Sequence, residues 1–201
     1  MDSRRQGRST LSSTSISYDL MMTDVIGLLN YLGIRQVHVV GWSDGAIIGL
    51  NLAMNYPNRL ISLFAFAANY IPSGVKDISS SAVFNAYLER TRIEYEQLNP
   101  IKDYQSLFNN LTTMLATLPN WSQSDFKKIL SNIFVWIVDA DHEEAIYRDQ
   151  PDTMALWIPQ AGELIIPRTS HFALIQDPET FMMAIAQFMT KCISLMRNQA
   201  R

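Results

Sequence analysis

The segment VHVVGWSDGAIIGL, residues 37–50, leaves this chain little choice of architecture. Val37, Val39 and Val40 are β-branched and run into Gly41, the pattern of a short strand in a buried parallel sheet. Ala46 to Met54 is apolar and rich in small residues, which suits a helix packed close to that sheet. Between them Gly41-Trp42-Ser43-Asp44-Gly45 spells G-x-S-x-G. A strand that turns directly into a helix needs small residues at the corner, and glycine costs least there. Such a corner lifts a serine oxygen above the sheet, next to a helix N-terminus that favours negative charge. Ser43 is therefore a candidate nucleophile, with Gly41, Trp42 and Gly45 as its elbow.

The flanking sequence repeats the alternation. Tyr18 to Leu32 carries apolar residues at helical spacing and ends at Gly33, a helix-terminating glycine. Gln36 to Val40 is a predicted strand, Ala46 to Asn55 a helix stopped by Pro57, and Leu60 to Ala67 a second strand. Ile133 to Val138 is a third, Thr153 to Ile158 a short helix, and Glu163 to Ile166 a fourth strand. Asp177-Pro178 opens a last helix running to about Met196, with Asp as N-cap and Pro at the first helical position. This order predicts an α/β fold with a mostly parallel sheet and helices on both faces. From Asn69 to about Leu130 no strand is evident. Ala82 to Leu98 and Tyr104 to Leu118 read as amphipathic helices, either a cap lining a pocket or plain helix core. The chain thus divides into a first core part at residues 1–68, a helical cap at 69–130 and a second core part at 131–201. Asp2 to Ser17 is polar and reads as a loop-forming leader.

With 201 residues, 48% hydrophobic and 17% charged, the chain is long enough for one sizeable core. Sixteen basic against nineteen acidic residues, a formal charge of −3, argue against a nucleic-acid surface. No apolar run is long enough to cross a bilayer, so no membrane partner is expected. The single cysteine, Cys192, forms no internal disulfide; it fits a reducing, cytoplasmic compartment and a buried helix position.

A serine needs a base to take its proton and a third group to orient that base. Only His38, His142 and His171 are available. His38 sits inside a strand, which suggests a structural side chain, and His142 lies among acids on a loop. His171 follows the last strand, at the carboxyl edge of the sheet where reacting groups gather, and it comes after both serine and acids. It is the candidate base. The acid stays open among Asp139, Asp141, Glu143 and Glu144, all of which follow the third strand.

The chain resembles the α/β-hydrolase fold superfamily, in its serine-hydrolase branch with a helical cap. Residues 2–9, DSRRQGRS, resemble the D-x-R-G-x-G-x-S loop after the family's fourth strand; residues 41–45 resemble its elbow. Residues 140–143 and Ser170-His171-Phe172 resemble the segments bearing acid and base. The resemblance implies Ser43 as nucleophile, Glu143 as acid with Asp141 in reserve, His171 as base and the Asp44 N–H as an oxyanion donor. It implies no metal and no organic cofactor. Ala140 and Arg5 stand where the family has glycine, and Glu143 where it often has aspartate. The family also carries strands upstream of the first loop, with a His-Gly segment that gives the second oxyanion N–H. The resemblance thus implies an N-terminally truncated chain with an open sheet edge that invites self-association. Loss of one such donor costs about 100- to 1000-fold in rate.

The function expected is hydrolysis of a small-molecule carboxylic ester, or an amide, through an acyl-enzyme. The alternatives are an impaired or truncated relative, used as a ligand-binding module, and another cofactor-free reaction such as a lyase on the same triad.

Overall fold

The computed structural model describes residues 2–10 and 16–199. Its sheet has four strands in sequence order: β1 (Val37–Trp42), β2 (Leu60–Phe66), β3 (Phe134–Ala140) and β4 (Gly162–Ile166). Every neighbouring pair is parallel. Parallel neighbours need crossovers, and helices supply them. Between β1 and β2 lies α2 (Asp44–Asn55), and between β3 and β4 lies α6 (Asp149–Trp157). Between β2 and β3 the chain makes α3 (Ala82–Leu98), α4 (Tyr104–Leu115) and the short α5 (Gln123–Phe126). The first helix, α1 (Tyr18–Tyr31), precedes the sheet; α7 (Ala173–Gln176) and α8 (Pro178–Gln199) follow it.

The two-residue period of a strand sorts the core into two layers. Leu63, Ala65, Val135 and Ile137 share one buried cluster with Met21 and Ile26 of α1, Ile47 and Leu50 of α2, and Met154 of α6. Phe64, Phe66, Trp136 and Val138 share the other with Phe181 and Phe188 of α8. There aromatic edges meet faces, as in Phe64 on Phe188 at 5.5 Å and Phe66 on Phe181 at 5.1 Å. Cys192 of α8 is buried, as expected. No described helix is long and apolar enough to cross a membrane.

Two expectations change. The strand before the elbow is not buried on both faces. Among the described strands it lies at the edge of the sheet; Val39 packs on the core, while Val40, on the opposite face, is 47% exposed. His38 is exposed too, and its Nδ1 meets Ser62 Oγ of β2 at 2.8 Å, a structural contact. The leader is also more ordered than a polar loop suggests over residues 2–10; its part at 11–15 lies outside the described residues. Arg5 and Gly7 take left-handed backbone, at φ 66° and 51°. The buried Asn99 at the end of α3 donates from its amide toward the carbonyls of Arg5, Gly7 and Ser9.

The elbow glycines are unequal. A Cβ at Gly41 would lie 2.5 Å from Gly45 O and 2.6 Å from Ala46 N, inside the first turn of α2. A Cβ at Gly45 would meet nothing within 4 Å. Gly41→Ala is therefore expected to destabilise the fold by about 1–3 kcal/mol, as overpacking does. Gly45→Ala is expected to be neutral or to stabilise by up to about 1 kcal/mol. Urea denaturation of the two variants checks both.

Candidate active site

Because all four strands run the same way, the loops after β1, β3 and β4 leave from one edge. Those loops carry Ser43, Glu143 and His171. Ser43 has φ 53° and ψ −121°, a conformation costly for any residue with a side chain, by about 1–3 kcal/mol. Its N–H extends the sheet ladder by donating to Phe66 O at 2.9 Å, while its carbonyl already accepts from Ala46 and Ile47 of α2. It is thus the last rung of the sheet and the N-cap of the helix at once. An N-cap serine ordinarily spends its hydroxyl on the helix. This one makes no such bond, so its hydroxyl is left to the pocket it lines. The Asp44 N–H, at the first position of α2, lacks an intrahelical acceptor and is available to an oxyanion.

His171 and Glu143 meet as expected. His171 Nδ1 lies 2.9 Å from Glu143 Oε1, and both side chains are 4% exposed. A carboxylate only accepts, so Nδ1 carries the hydrogen, which in the neutral ring leaves the lone pair on Nε2. Glu143 Oε1 is fixed in turn by the N–H groups of Ala145 at 2.7 Å and Ile146 at 3.2 Å. Ser43 and His171 line the same cavity, yet among the described residues no hydrogen bond joins Ser43 Oγ to the imidazole. Such contacts often tighten only when substrate is bound.

Asp141, the reserve acid, is elsewhere. It pairs with the exposed His142 at 2.7 Å and accepts from Thr169 N–H at 3.2 Å. Backbone bonding at Arg168, then the His142 contact, holds its carboxyl down at about 2. It braces the turn before His171 and does not touch the ring.

Several supports were not legible in the sequence. Trp42 Nε1 donates to His171 O at 2.8 Å, tying the elbow to the histidine loop. Glu144 Oε2 accepts from His171 N–H at 3.0 Å, and Lys76 Nζ donates to Glu143 O at 2.6 Å. Tyr18 OH donates to Asp44 Oδ1 at 2.7 Å. Burial raises both groups: the Tyr18 phenol, pushed further by the Asp44 charge, and the Asp44 carboxyl, against the pull of Tyr18 and His171. Only Glu144 had a sequence signal, its place in the acidic run; a tryptophan N–H or a remote phenol has none. Among the described residues no three His, Cys, Asp or Glu side chains cluster in a way that could hold a metal ion.

The cavity measures about 470 Å³. The side nearest the sheet edge presents Trp42, Ser43, Asp44 and His171. The helices α3 and α4 supply most of the remaining wall, with Phe84, Tyr87 and Leu88 of the first and Leu107, Phe108 and Leu111 of the second among the residues facing it.

A strand-to-helix serine, a buried acid–histidine pair and helices inserted after β2 define a parallel-sheet protein of the hydrolase type. The sequence model described as the alpha/beta hydrolase family matches residues 1–184, and the chain belongs to that family. Over 61 residues it is 41% identical to a Caulobacter segnis protein named "Putative carbamate hydrolase RutD", a match covering 29% of this chain and 23% of that one. Over 184 residues it is 22% identical to a protein of the same name from Pantoea ananatis, covering 80% of this chain and 66% of the other. The chain therefore spans less than two thirds of the length of these relatives. In structure it is similar to the enol-lactonase from Burkholderia xenovorans, with a TM-score of 0.70 at 17% identity, over 94% of this chain and 79% of that one. That likeness is one of fold.

The two acids separate by mutation. Glu143→Gln is expected to abolish the downfield proton resonance of His171 Nδ1–H, and Asp141→Asn to leave it in place. Asp141 binds its proton less readily folded than unfolded, so its support is present above about pH 4 and is lost as pH falls toward about 2. Asp141→Asn should remove that acid-side loss; NMR and acid-titrated denaturation read the two effects.

Proposed function

We propose that the chain is a serine hydrolase that cleaves a carboxylic ester, or less readily an amide, through an acyl-enzyme. The observation that carries this reading is the buried Glu143–His171 pair opening on the same cavity as the uncapped hydroxyl of Ser43. Ser43 Oγ attacks the carbonyl carbon while His171 Nε2 takes its proton, and Glu143 stabilises the imidazolium. The developing oxyanion accepts from the Asp44 N–H. As the C–O bond breaks, His171 returns the proton to the leaving alcohol. Water then attacks the acyl group, His171 takes and returns a proton once more, and Ser43 and a carboxylic acid are released. The helices α3 and α4 act as a cap that shapes the substrate site. The compartment proposed is the cytoplasm, on the strength of the lone Cys192.

The cavity wall indicates the substrate's character. It is mostly apolar and aromatic, its acidic side chains are Asp44 and Glu94, and no Lys or Arg of the described residues lines it. It favours an apolar acyl or alcohol group and repels anions. A second reading, a capped ligand-binding module, draws on the open side of the elbow. There Val40 is exposed and Gly45 adjoins open space.

A fluorophosphonate probe is expected to label the wild type and not Ser43→Ala, with ester turnover falling about 10⁴-fold or more in that variant. Turnover that survives Ser43→Ala overturns Ser43 as the nucleophile; a wild type with neither turnover nor label, under conditions that label a related hydrolase, supports the binding module instead. Among active substrates, p-nitrophenyl hexanoate should exceed its ω-carboxylate analogue in kcat/KM by about tenfold or more, the equivalent of ~1.4 kcal/mol.

A further inference from the structure

Behind His171 lie two buried carboxyls. Asp139, next to last in β3, is fully buried. Its Oδ1 accepts from the Ala140 N–H at 2.9 Å. Glu143 gathers its donors on Oε1 alone: His171, Ala145 and Ile146. The other oxygen of each group, Asp139 Oδ2 and Glu143 Oε2, is buried without a donor. These two carboxyls lie within hydrogen-bonding reach of each other. Two ionised carboxylates in such a place would repel and leave two acceptors unsatisfied, whereas one shared proton satisfies both. Burial, then the charge of Glu143, pushes the Asp139 carboxyl well above the usual carboxylate range. Glu143 already accepts from three donors; Asp139 accepts from one. The proton therefore belongs to Asp139.

We propose that Asp139 is a positioning residue: a neutral carboxylic acid that donates its O–H to Glu143 Oε2, behind the Glu143–His171 pair. The proposal rests on the reading of His171 as the catalytic base. It gives Asp139 the task of holding the glutamate so that Oε1 faces the imidazole, while the buried pair carries one negative charge. The other ionisable groups facing the pair are the Arg148 charge, which opposes the rise at Asp139, Lys76 on the Glu143 carbonyl, and Glu144 on the His171 backbone. Nothing in sequence separates Asp139 from its acidic neighbours; only its place inside β3, one residue before the strand ends, buries it.

Three measurements on the full chain test this. Infrared spectra in D₂O near neutral pH should contain the carbonyl band of a protonated carboxylic acid, present in wild type and in Ser43→Ala and missing from Asp139→Asn. A carboxyl that holds its proton more tightly folded than unfolded makes stability fall as pH rises from the ordinary carboxylate range toward its raised value. Asp139→Asn should flatten that fall. In turnover, Asp139→Asn keeps a donor toward Glu143 and should stay close to wild type. Asp139→Ala should lose roughly 10- to 100-fold in kcat with KM unchanged. A wild type without the acid band, as when water bridges two ionised groups, overturns the proposal, and so does an Asn variant as impaired as Ala. Should Asp139→Ala fail to fold, the band and the Asn variant decide. Should the wild type show no turnover, the hydrolase reading fails while the band and the stability slope still judge the shared proton.

Discussion

Everything in the site hangs on the backbone of Ser43. Its N–H belongs to the sheet and its carbonyl to α2, so the residue is clamped from both sides in a conformation it would not choose alone. Clamping requires α2 to start immediately at the end of β1, and that requires Gly41, where any side chain would enter the helix backbone. Gly49, within α2, adds a second close approach: a Cβ there would lie 2.6 Å from Leu63 Cδ1, a side-chain contact with β2. Two close approaches therefore set the distance between helix and sheet, and the strain at the serine is borne by the core beneath it.

Glu143 and His171 are held on a different principle. Each loop after β3 and β4 is tied to the other and to the elbow through side chains that meet backbone groups: Glu144 to His171 N–H, Trp42 to His171 O, Asp141 to Thr169 N–H. Aromatic rings close the imbalance of polarity around the imidazole, with Trp42 at 5.8 Å, Phe84 at 5.3 Å and Phe172 at 5.6 Å from it. Water has little access to the Glu143–His171 contact, which strengthens the bond between them.

Much of this was legible in the sequence because short-range rules govern it. β-branched runs ending at glycine marked the strands, helical spacing marked α1 to α4 and α8, and the order serine, acid, histidine along one sheet edge selected His171 over His38 and His142. Sequence alone left four acids open. Burial separates them: Asp139 lies inside the strand, Asp141 is on the outer turn, and only Glu143 reaches the ring. The exposure of β1 was hidden because valines look the same whether one face or two are covered. Helices α5 and α7 are four residues each, too short for any periodicity to register. The left-handed backbone at Arg5 was hidden for a different reason: a long cationic side chain gives no hint of it, yet the Arg5 guanidinium finds Ser106 of α4 at 2.8 Å.

Asn99 draws the amino-terminal turn and the end of α3 into one body. A single carboxamide gathers three carbonyls from residues 5–9, and its own oxygen accepts from Ile101 N–H at 3.0 Å. Gln6 and Gly7 on that turn line the cavity together with α3. Two walls of one cavity, distant along the chain, thus share a single anchor, and loss of the Asn99 carboxamide would leave three carbonyls of the turn without their common donor.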